Sequence, residues 1–189
     1  MDRVYFHNFS YFDGIFILRI LSTMEEIKRP IIRDNRLIQI PFKFDKTGMI
    51  YFHDSYLLLP ESLDKLGKSF KVDNKGIFPI FFLNEPNLDW EYSGKLPEYK
   101  YFHNLSHPEY LQYKLKYLNK NLNLKEELVK YCEQDVVTLY QVINQFSKEI
   151  FKVFKVDIIK YPTLSSVAFA IYRTNYMSSE IIPLVEGEI

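Results

Sequence analysis

A phenol and a carboxylate four residues apart, Tyr131 and Asp135, are the first side chains whose spacing suggests chemistry. They lie in a segment from about Leu124 to Phe151 where apolar residues recur every three or four positions, the spacing of one helix face. Residues four apart on a helix lie one above the other. A carboxylate held there beside a phenol can bind a metal ion and orient a water molecule. The same pair also occurs on ordinary solvated helix surfaces, so both interpretations stay open at this point.

A second carboxylate, Asp13, is predicted where a strand gives way to a helix. Arg3–His7 is a short strand candidate, and Ile15–Leu21 predicts a mostly buried helix that ends near Ser22. Loops at such an end of a sheet are where catalytic groups tend to be placed. The sequence therefore gives two carboxylates, far apart in the chain, that could share a site.

A local basic strip is the third candidate feature. Lysines recur over a short segment, where two aspartates oppose them: Lys65, Lys68, Lys71 and Lys75, against Asp64 and Asp73. Basic side chains beside aromatic rings can contact the backbone of a single nucleic-acid strand and stack on its bases. A solvated lysine surface is the alternative interpretation.

Two further sets of candidate metal ligands are weaker. His103 and His107 have a spacing used for zinc on helices, but Pro108 follows and no third ligand lies nearby. Asp89 and Glu91 are two apart, as on one face of a strand, yet they lie in a Pro- and Asn-rich segment without a strand pattern. Neither set is predicted to bind a metal.

The elements that must hold these residues indicate an α/β fold. Short apolar runs around Ile31–Ile32, Leu37–Phe44 and Met49–Phe52 predict a β-meander, with the turn-forming pair Asp34 and Asn35 between the first two. Pro41 predicts that its strand lies at an edge of the sheet. Three further helices are expected, one with an N-cap at Ser62, one from Pro108 to about Leu118, and one after Tyr161-Pro162-Thr163. The segment 76–99 is predicted to be an extended connector.

Composition restricts the possible classes. With 189 residues, 47% of them apolar, the chain can form a core, and the formal net charge of +0 gives no overall basic field. The sequence contains no run of eighteen apolar residues, so no membrane span is predicted. The N-terminus shows neither a signal layout nor a transit pattern. The one cysteine, Cys132, lies on the apolar stripe of the long helix, where a buried small side chain is expected.

Taken in order, four motifs resemble those of family B DNA polymerases, most closely the protein-primed polymerases of linear mitochondrial plasmids in fungi and plants. Tyr5-Phe6-His7-Asn8 with Phe12-Asp13-Gly14 resembles the second exonuclease motif. Ser62-Leu63-Asp64-Lys65-Leu66 and Lys75-Gly76-Ile77-Phe78 are similar to two motifs of the protein-primed subgroup. Tyr131 and Asp135 match the third exonuclease motif.

This resemblance implies a partial RNase H-like (DnaQ-like) 3'–5' exonuclease fold with a β-meander over residues 1–155. Residues 156–189 would hold the first helix that leads into the polymerase palm. It also implies protein priming from a terminal protein, replication of a plasmid and residence in the mitochondrion, where the gene itself would lie. The DNA partner would be the single-stranded end of a primer.

The resemblance also implies roles for single residues. Asp13 and Asp135 would bind two divalent cations, and carboxylates suit Mg or Mn. Tyr131 would orient the attacking water, and Lys75 would contact the scissile phosphate. The unpaired primer end would be held by five residues of the motifs: His7, Asn8, Phe12, Ser62 and Leu63. Lys65 belongs to the basic strip and is expected to contact the nucleic-acid backbone.

The sequence departs from the family pattern at both ends. No Asp-x-Glu of the first exonuclease motif precedes Tyr5, and no polymerase catalytic motif follows the third one. The chain is therefore expected to be an internal piece with weak or no exonuclease activity, and part of the long helix's apolar face is expected to lack a partner. The alternatives are a non-catalytic single-strand-binding remnant and a degenerate reading frame.

Overall fold

The computed structural model describes residues 2–24, 27–43, 48–72 and 76–177. Over these ranges its helices and strands are β1 (Asp2–Phe6), α1 (Asp13–Leu21), β2 (Ile31–Arg33), β3 (Arg36–Lys43), β4 (Met49–Asp54), α2 (Leu63–Phe70), β5 (Ser93–Gly94), α3 (His107–Leu115), β6 (Leu122–Asn123), α4 (Leu124–Phe154) and α5 (Leu164–Asn175). The predicted α/β class is confirmed. The contacts divide the chain into a first unit, Met1–Ser62 with Ile143–Ile189, and a second unit, Leu63–Val142.

The first unit contains a mixed four-stranded sheet in the order β1-β4-β3-β2. Strands β2, β3 and β4 are antiparallel neighbours, which confirms the predicted meander. Asp34 and Asn35 join β2 to β3, and both have positive φ, 50° and 58°. Such values are those of a two-residue hairpin turn, in which Asp and Asn are favoured. Strand β1 adds to the far side of β4 in parallel, with Phe6 opposite Asp54.

Pro41 does not mark an edge strand, because β3 lies between β4 and β2. The ladder between β2 and β3 ends at Gln39, and beyond it the carbonyl of Pro41 accepts a hydrogen bond from the amide of Lys28. In an extended strand the nitrogen and carbonyl of one residue point to the same side. The missing N–H of Pro41 therefore faces away from β4, and the pairing with β4 loses nothing.

The core of the first unit's sheet region is small and sits under α1. Its fully or nearly buried members are Phe9, Leu21, Leu37 and Ile40. The prediction of a mostly buried α1 is wrong, because Ile15, Phe16 and Ile20 are exposed. An apolar run predicts burial on all sides, but in this unit α1 buries only Gly14 and Leu21.

The second unit is held together by aromatic and aliphatic side chains between short elements. The segment 76–99 is not an extended connector, since Phe78 is buried with Leu122 and Leu124, and the residues after it pack against this group. Helix α3 begins after Ser106, whose hydroxyl accepts from the amide of Glu109 in a capping box. At the other end of α3, the hydroxyl of Tyr113 donates to Glu127 of α4 at 3.2 Å.

The long helix α4 begins in the second unit and ends in the first. Asn123 and Glu126 have the sequence spacing of an N-cap and the return half of a capping box, which predicts that the helix starts there. Asn123 does cap it, since its side-chain oxygen accepts from the amide of Glu126 at 3.2 Å. The return contact differs from a capping box, because Glu126 accepts from the side-chain amide of Asn123. The prediction that Cys132 is buried is wrong: the thiol is exposed, together with Val136 one turn later. Part of the apolar stripe is thus uncovered, as the sequence predicted.

Helix α5 confirms the predicted start, with Thr163 as the N-cap and Ser166 completing a capping box.

In the described part of the chain, no helix combines the length and the apolar character that crossing a membrane requires. Lys75 and residues 178–189 lie outside the described residues.

Candidate functional site

The loop after β1 carries the predicted residues of the second exonuclease motif. Because β1 and β4 are parallel, their carboxyl ends meet at one edge of the sheet, where Phe6 lies opposite Asp54. Open α/β sheets bind ligands preferentially at the carboxyl ends of such strands. Asn8 adopts a left-handed conformation with φ 69°, which Asn tolerates better than most residues. Phe9 then turns into the core and is fully buried.

A carboxylate that the sequence interpretation missed, Asp54 at the end of β4, holds this loop. It is fully buried, and one of its oxygens accepts from the amides of Asn8 and Tyr56, both at 2.9 Å. The other oxygen accepts from the amide of Ser10 at 2.9 Å. The one local signal for Asp54 is its position at a strand end, where it caps the turn that starts at Ser55.

The next residue, Ser55, was also missed, and it contacts Phe6 and His7 of the motif. Its hydroxyl donates to the carbonyl of Phe6 at 2.9 Å and lies 3.0 Å from Nδ1 of His7. Nε2 of His7 is 2.9 Å from the carbonyl of Glu61. A carbonyl can only accept, so Nε2 carries a proton in this contact. Both nitrogens of the His7 ring are thereby fixed in position.

The predicted contact residues that follow in the loop are presented to solvent. Phe12 is 63% exposed, and Asp13 is exposed as the first residue of α1. Asp13 thus lies at the predicted junction of loop and helix. Four predicted residues therefore lie in one loop of the first unit: His7, Asn8, Phe12 and Asp13. The fifth, Ser62, directly follows Glu61, whose carbonyl contacts Nε2 of His7.

Gly14 allows the close approach of α1 to the loop and to β3. Its amide donates to the carbonyl of Phe9 at 2.9 Å. A Cβ at this position would lie 2.8 Å from that carbonyl oxygen and 2.9 Å from Cδ2 of Leu37.

We expect Gly14→Ala to destabilise the first unit by about 1–3 kcal/mol, the usual cost of overpacking a core. Urea unfolding followed by circular dichroism measures this cost. Ile15→Ala, at the exposed neighbouring position, is the control and should change stability by less than about 0.5 kcal/mol. Equal effects of the two substitutions would contradict the close contact.

In the second unit, Tyr131 lines a cavity beside α2. Its ring lies 5.5 Å from the ring of Phe78, and a Cβ on Gly76 would come within 3.1 Å of Tyr131 Cδ2. The cavity has a volume of about 270 Å³ and is lined by aromatic and polar side chains, among them Phe102, His103, Lys68 and Tyr131. The predicted helical spacing of Tyr131 and Asp135 is confirmed, since both lie in α4.

Part of the positive charge of the basic strip is paired with a carboxylate. Lys65 and Lys68 are exposed on α2, but the ammonium of Lys68 lies 2.8 Å from a carboxylate oxygen of Asp64. The hydrogen bond to Asp64 raises the pKa of Lys68. Leu63 is the first residue of α2, directly after Ser62. Lys75, predicted to contact the scissile phosphate, is among the residues the structure does not describe.

Asp13 belongs to the first unit and Asp135 to the second. Among the described residues no group of three or more His, Cys, Asp or Glu side chains could hold a metal ion. Both predicted ligands are carboxylates, the ligand type that suits Mg or Mn.

The weaker sets have ordinary structural contacts. Asp89 accepts from the amide of Glu91 at 2.9 Å, and Glu91 pairs with Lys125 at 3.1 Å. The ring of His103 meets Phe81 edge-on, and that of His107 meets Tyr99 edge-on.

Comparison with known proteins identifies the family. The model of DNA polymerase type B, organellar and viral, matches residues 2–189. This chain belongs to that family. A probable DNA polymerase of Neurospora intermedia is 42% identical over 99% of the chain, and one of Ascobolus immersus is 38% identical over 96%. A third, from Agaricus bitorquis, is 33% identical over 98%. The family resemblance inferred from the four motifs is therefore confirmed.

This chain is much shorter than these relatives. It spans 20% of the Neurospora protein, 16% of the Ascobolus protein and 24% of the Agaricus protein. Its fold is similar to part of phi29 DNA polymerase in a ternary complex with primer-template DNA and incoming nucleotides. The TM-score is 0.50 at 16% identity, over 94% of this chain and 26% of that one.

Proposed function

We propose that this chain carries part of the proofreading 3'–5' exonuclease of a protein-primed DNA polymerase and binds the single-stranded end of a primer. The observation that carries the proposal is the loop from His7 to Asp13. In a member of this polymerase family, it presents an exposed ring and an exposed carboxylate at the carboxyl ends of two parallel strands. An exposed aromatic ring can stack on an unpaired base.

The roles of the other predicted residues belong to the same proposal. Asp13 and Asp135 contribute carboxylates to the cation sites of the intact enzyme, and Tyr131 orients a water molecule there. His7, Asn8, Ser62, Leu63 and Lys65 contact the primer strand, and Lys75 contacts the phosphate. When bound, two divalent cations supply charge stabilisation and a hydroxide nucleophile for phosphodiester hydrolysis.

The wider assignments are also proposals. Residues 1–155 are the exonuclease part with an RNase H-like (DnaQ-like) fold, and residues 156–189 begin the palm region. The intact polymerase starts synthesis on a terminal protein and replicates a mitochondrial plasmid. The fungal relatives support the direction of this proposal through their names as probable DNA polymerases.

Binding of a labelled single-stranded oligonucleotide tests the contact with Phe12. We expect Phe12→Ala to weaken binding about tenfold, because stacking on one base contributes about 1–3 kcal/mol. Phe169→Ala is the matched control, since Phe169 is also an exposed phenylalanine of the first unit, 59% exposed on α5. Fluorescence anisotropy at two salt concentrations gives both affinities. Equal losses in the two variants would contradict a specific stacking role for Phe12.

A non-catalytic single-strand-binding role for this chain is the second candidate. The exposed ring of Phe12 and the exposed Lys65 favour it, because stacking on a base and contact with a nucleic-acid backbone need no metal ion. We expect single-strand binding with weak or no Mn-dependent degradation of a labelled strand. Robust cleavage that Asp135→Asn abolishes would instead show that the chain has a working exonuclease.

A further inference from the structure

We propose that Asp54 is a positioning residue for primer-strand binding, which it supports by holding the loop from Asn8 to Ser10. This inference rests on the function proposed above. No predicted motif includes Asp54, and its carboxylate acts on the strand only through the backbone that it holds.

The buried carboxylate accepts hydrogen bonds from backbone amides of two segments. Asn8 and Tyr56 donate to one oxygen, and Ser10 donates to the other, each at 2.9 Å. A carboxylate with 0% exposure would be very unfavourable without such hydrogen bonds. Hydrogen bonds from N–H groups to an ionised acceptor are also about twice as strong as neutral ones. The loop and the carboxylate therefore stabilise each other.

The contacts of Asp54 fix the loop where its direction changes. Asn8 has the left-handed φ of 69°, and two residues later the amide of Ser10 is bound to the other oxygen of the same carboxylate. The hydroxyl of Ser10 adds a hydrogen bond to the carbonyl of Leu37 at 2.8 Å. Phe12 and Asp13 follow within three residues of Ser10, so the orientation of both depends on this fixed point.

Asp54→Asn tests the positioning role, because it keeps the loop sequence and the shape of the side chain and changes only the charge and the hydrogen bonds. The asparagine amide has nearly the same shape but one oxygen, so an NH2 group must face at least one of the three backbone N–H groups. Loss of a charged hydrogen bond and repulsion between donors should open the loop locally. We expect the amides of Asn8 and Ser10 to exchange hydrogen at least tenfold faster.

The matched control is Ile40→Val, a mild change of a fully buried residue in the same sheet. Ile40 pairs with Phe52 across β3 and β4, and the substitution lowers stability modestly by removing one buried methyl group. We expect Asp54→Asn to weaken binding of a labelled single-stranded oligonucleotide about tenfold. Ile40→Val should leave that affinity unchanged. A purely structural role would instead lower both affinities in proportion to the loss of stability.

The outcomes separate this inference from the proposed function. If the wild-type chain binds no single strand, the proposed function fails, and the positioning role fails with it. If the wild type binds and Asp54→Asn binds equally well, only the inference fails. Should Asp54→Asn not fold, hydrogen exchange in the wild type decides. Slow exchange at Asn8 and Ser10 that slows further with bound oligonucleotide supports the role, and rapid exchange at both overturns it.

Discussion

Phe9→Ala is expected to destabilise the first unit by about 3–5 kcal/mol, the usual cost of removing a buried aromatic ring. Phe9 is fully buried with Leu21, Leu37 and Ile40. Its ring also lies 5.1 Å from that of Phe6 in a stacked arrangement. Because domains are stable by only about 5–15 kcal/mol, this loss is a large part of the total. The midpoint of urea unfolding, followed by circular dichroism, measures it.

Phe16→Ala is the control for this substitution, because it removes the same side chain from an exposed position on α1. We expect it to change the free energy of unfolding by less than about 0.5 kcal/mol. Similar losses for Phe9→Ala and Phe16→Ala would show that the loop residue is not part of the core. The loop geometry derived from Phe9 would then be wrong as well.

Acidification is expected to destabilise the first unit through His53. Burial, with a smaller contribution from the nearby charge of Arg3, lowers the pKa of His53 from its usual 6.5 to about 4. Its ring packs beside Tyr5 and Tyr51, at centroid distances of 5.5 and 6.3 Å. Neither ring nitrogen has a hydrogen-bond partner in the described part of the chain. The folded protein therefore holds this imidazole in its neutral form.

The sign of the effect follows from proton binding. Between pH 6.5 and about 4 the unfolded chain binds a proton at His53 and the folded chain does not. The contribution is fully present above pH 6.5 and is lost as the pH falls towards 4. At about 1.4 kcal/mol for each pKa unit, it amounts to at most about 3 kcal/mol.

His53→Leu isolates this contribution, since leucine fills the site and does not titrate. We expect the loss of unfolding free energy between pH 7.5 and pH 5 to be smaller in this variant than in the wild type. His107→Gln, at an exposed position, controls for the removal of a histidine. An unchanged pH dependence in His53→Leu would mean that His53 can be protonated within the folded protein.

Helix ends and turns of this polymerase chain could be predicted because their causes are local. Thr163 and Asn123 each cap a helix through an amide three residues away. The hairpin between β2 and β3 depends on the left-handed conformations of Asp34 and Asn35 alone. The family and the candidate residues of the loop were likewise predictable, since a motif is a short ordered pattern. Asp13 and Tyr131 lie where that pattern placed them, at a helix start and within a helix.

Burial and pairing could not be predicted in the same way. The exposure of Cys132 and of α1 depends on which faces other segments cover, and an apolar pattern does not identify the covering segment. Pro41 is tolerated in an inner strand because the ladder between β2 and β3 ends before it. The residues around Pro41 would be the same in an edge strand and in an inner strand, so the sequence does not distinguish the two.

The sequence by itself determined the family, the α/β class, the long helix with Tyr131 and Asp135, and the motif that contains Asp13. Only the tertiary structure decided that β1 pairs in parallel with β4 and that Asp54 holds the loop of that motif. The physical reason is separation along the chain. The amides of Asn8 and Ser10 reach a carboxylate 46 and 44 residues away. Folding the sheet is what brings the two segments together.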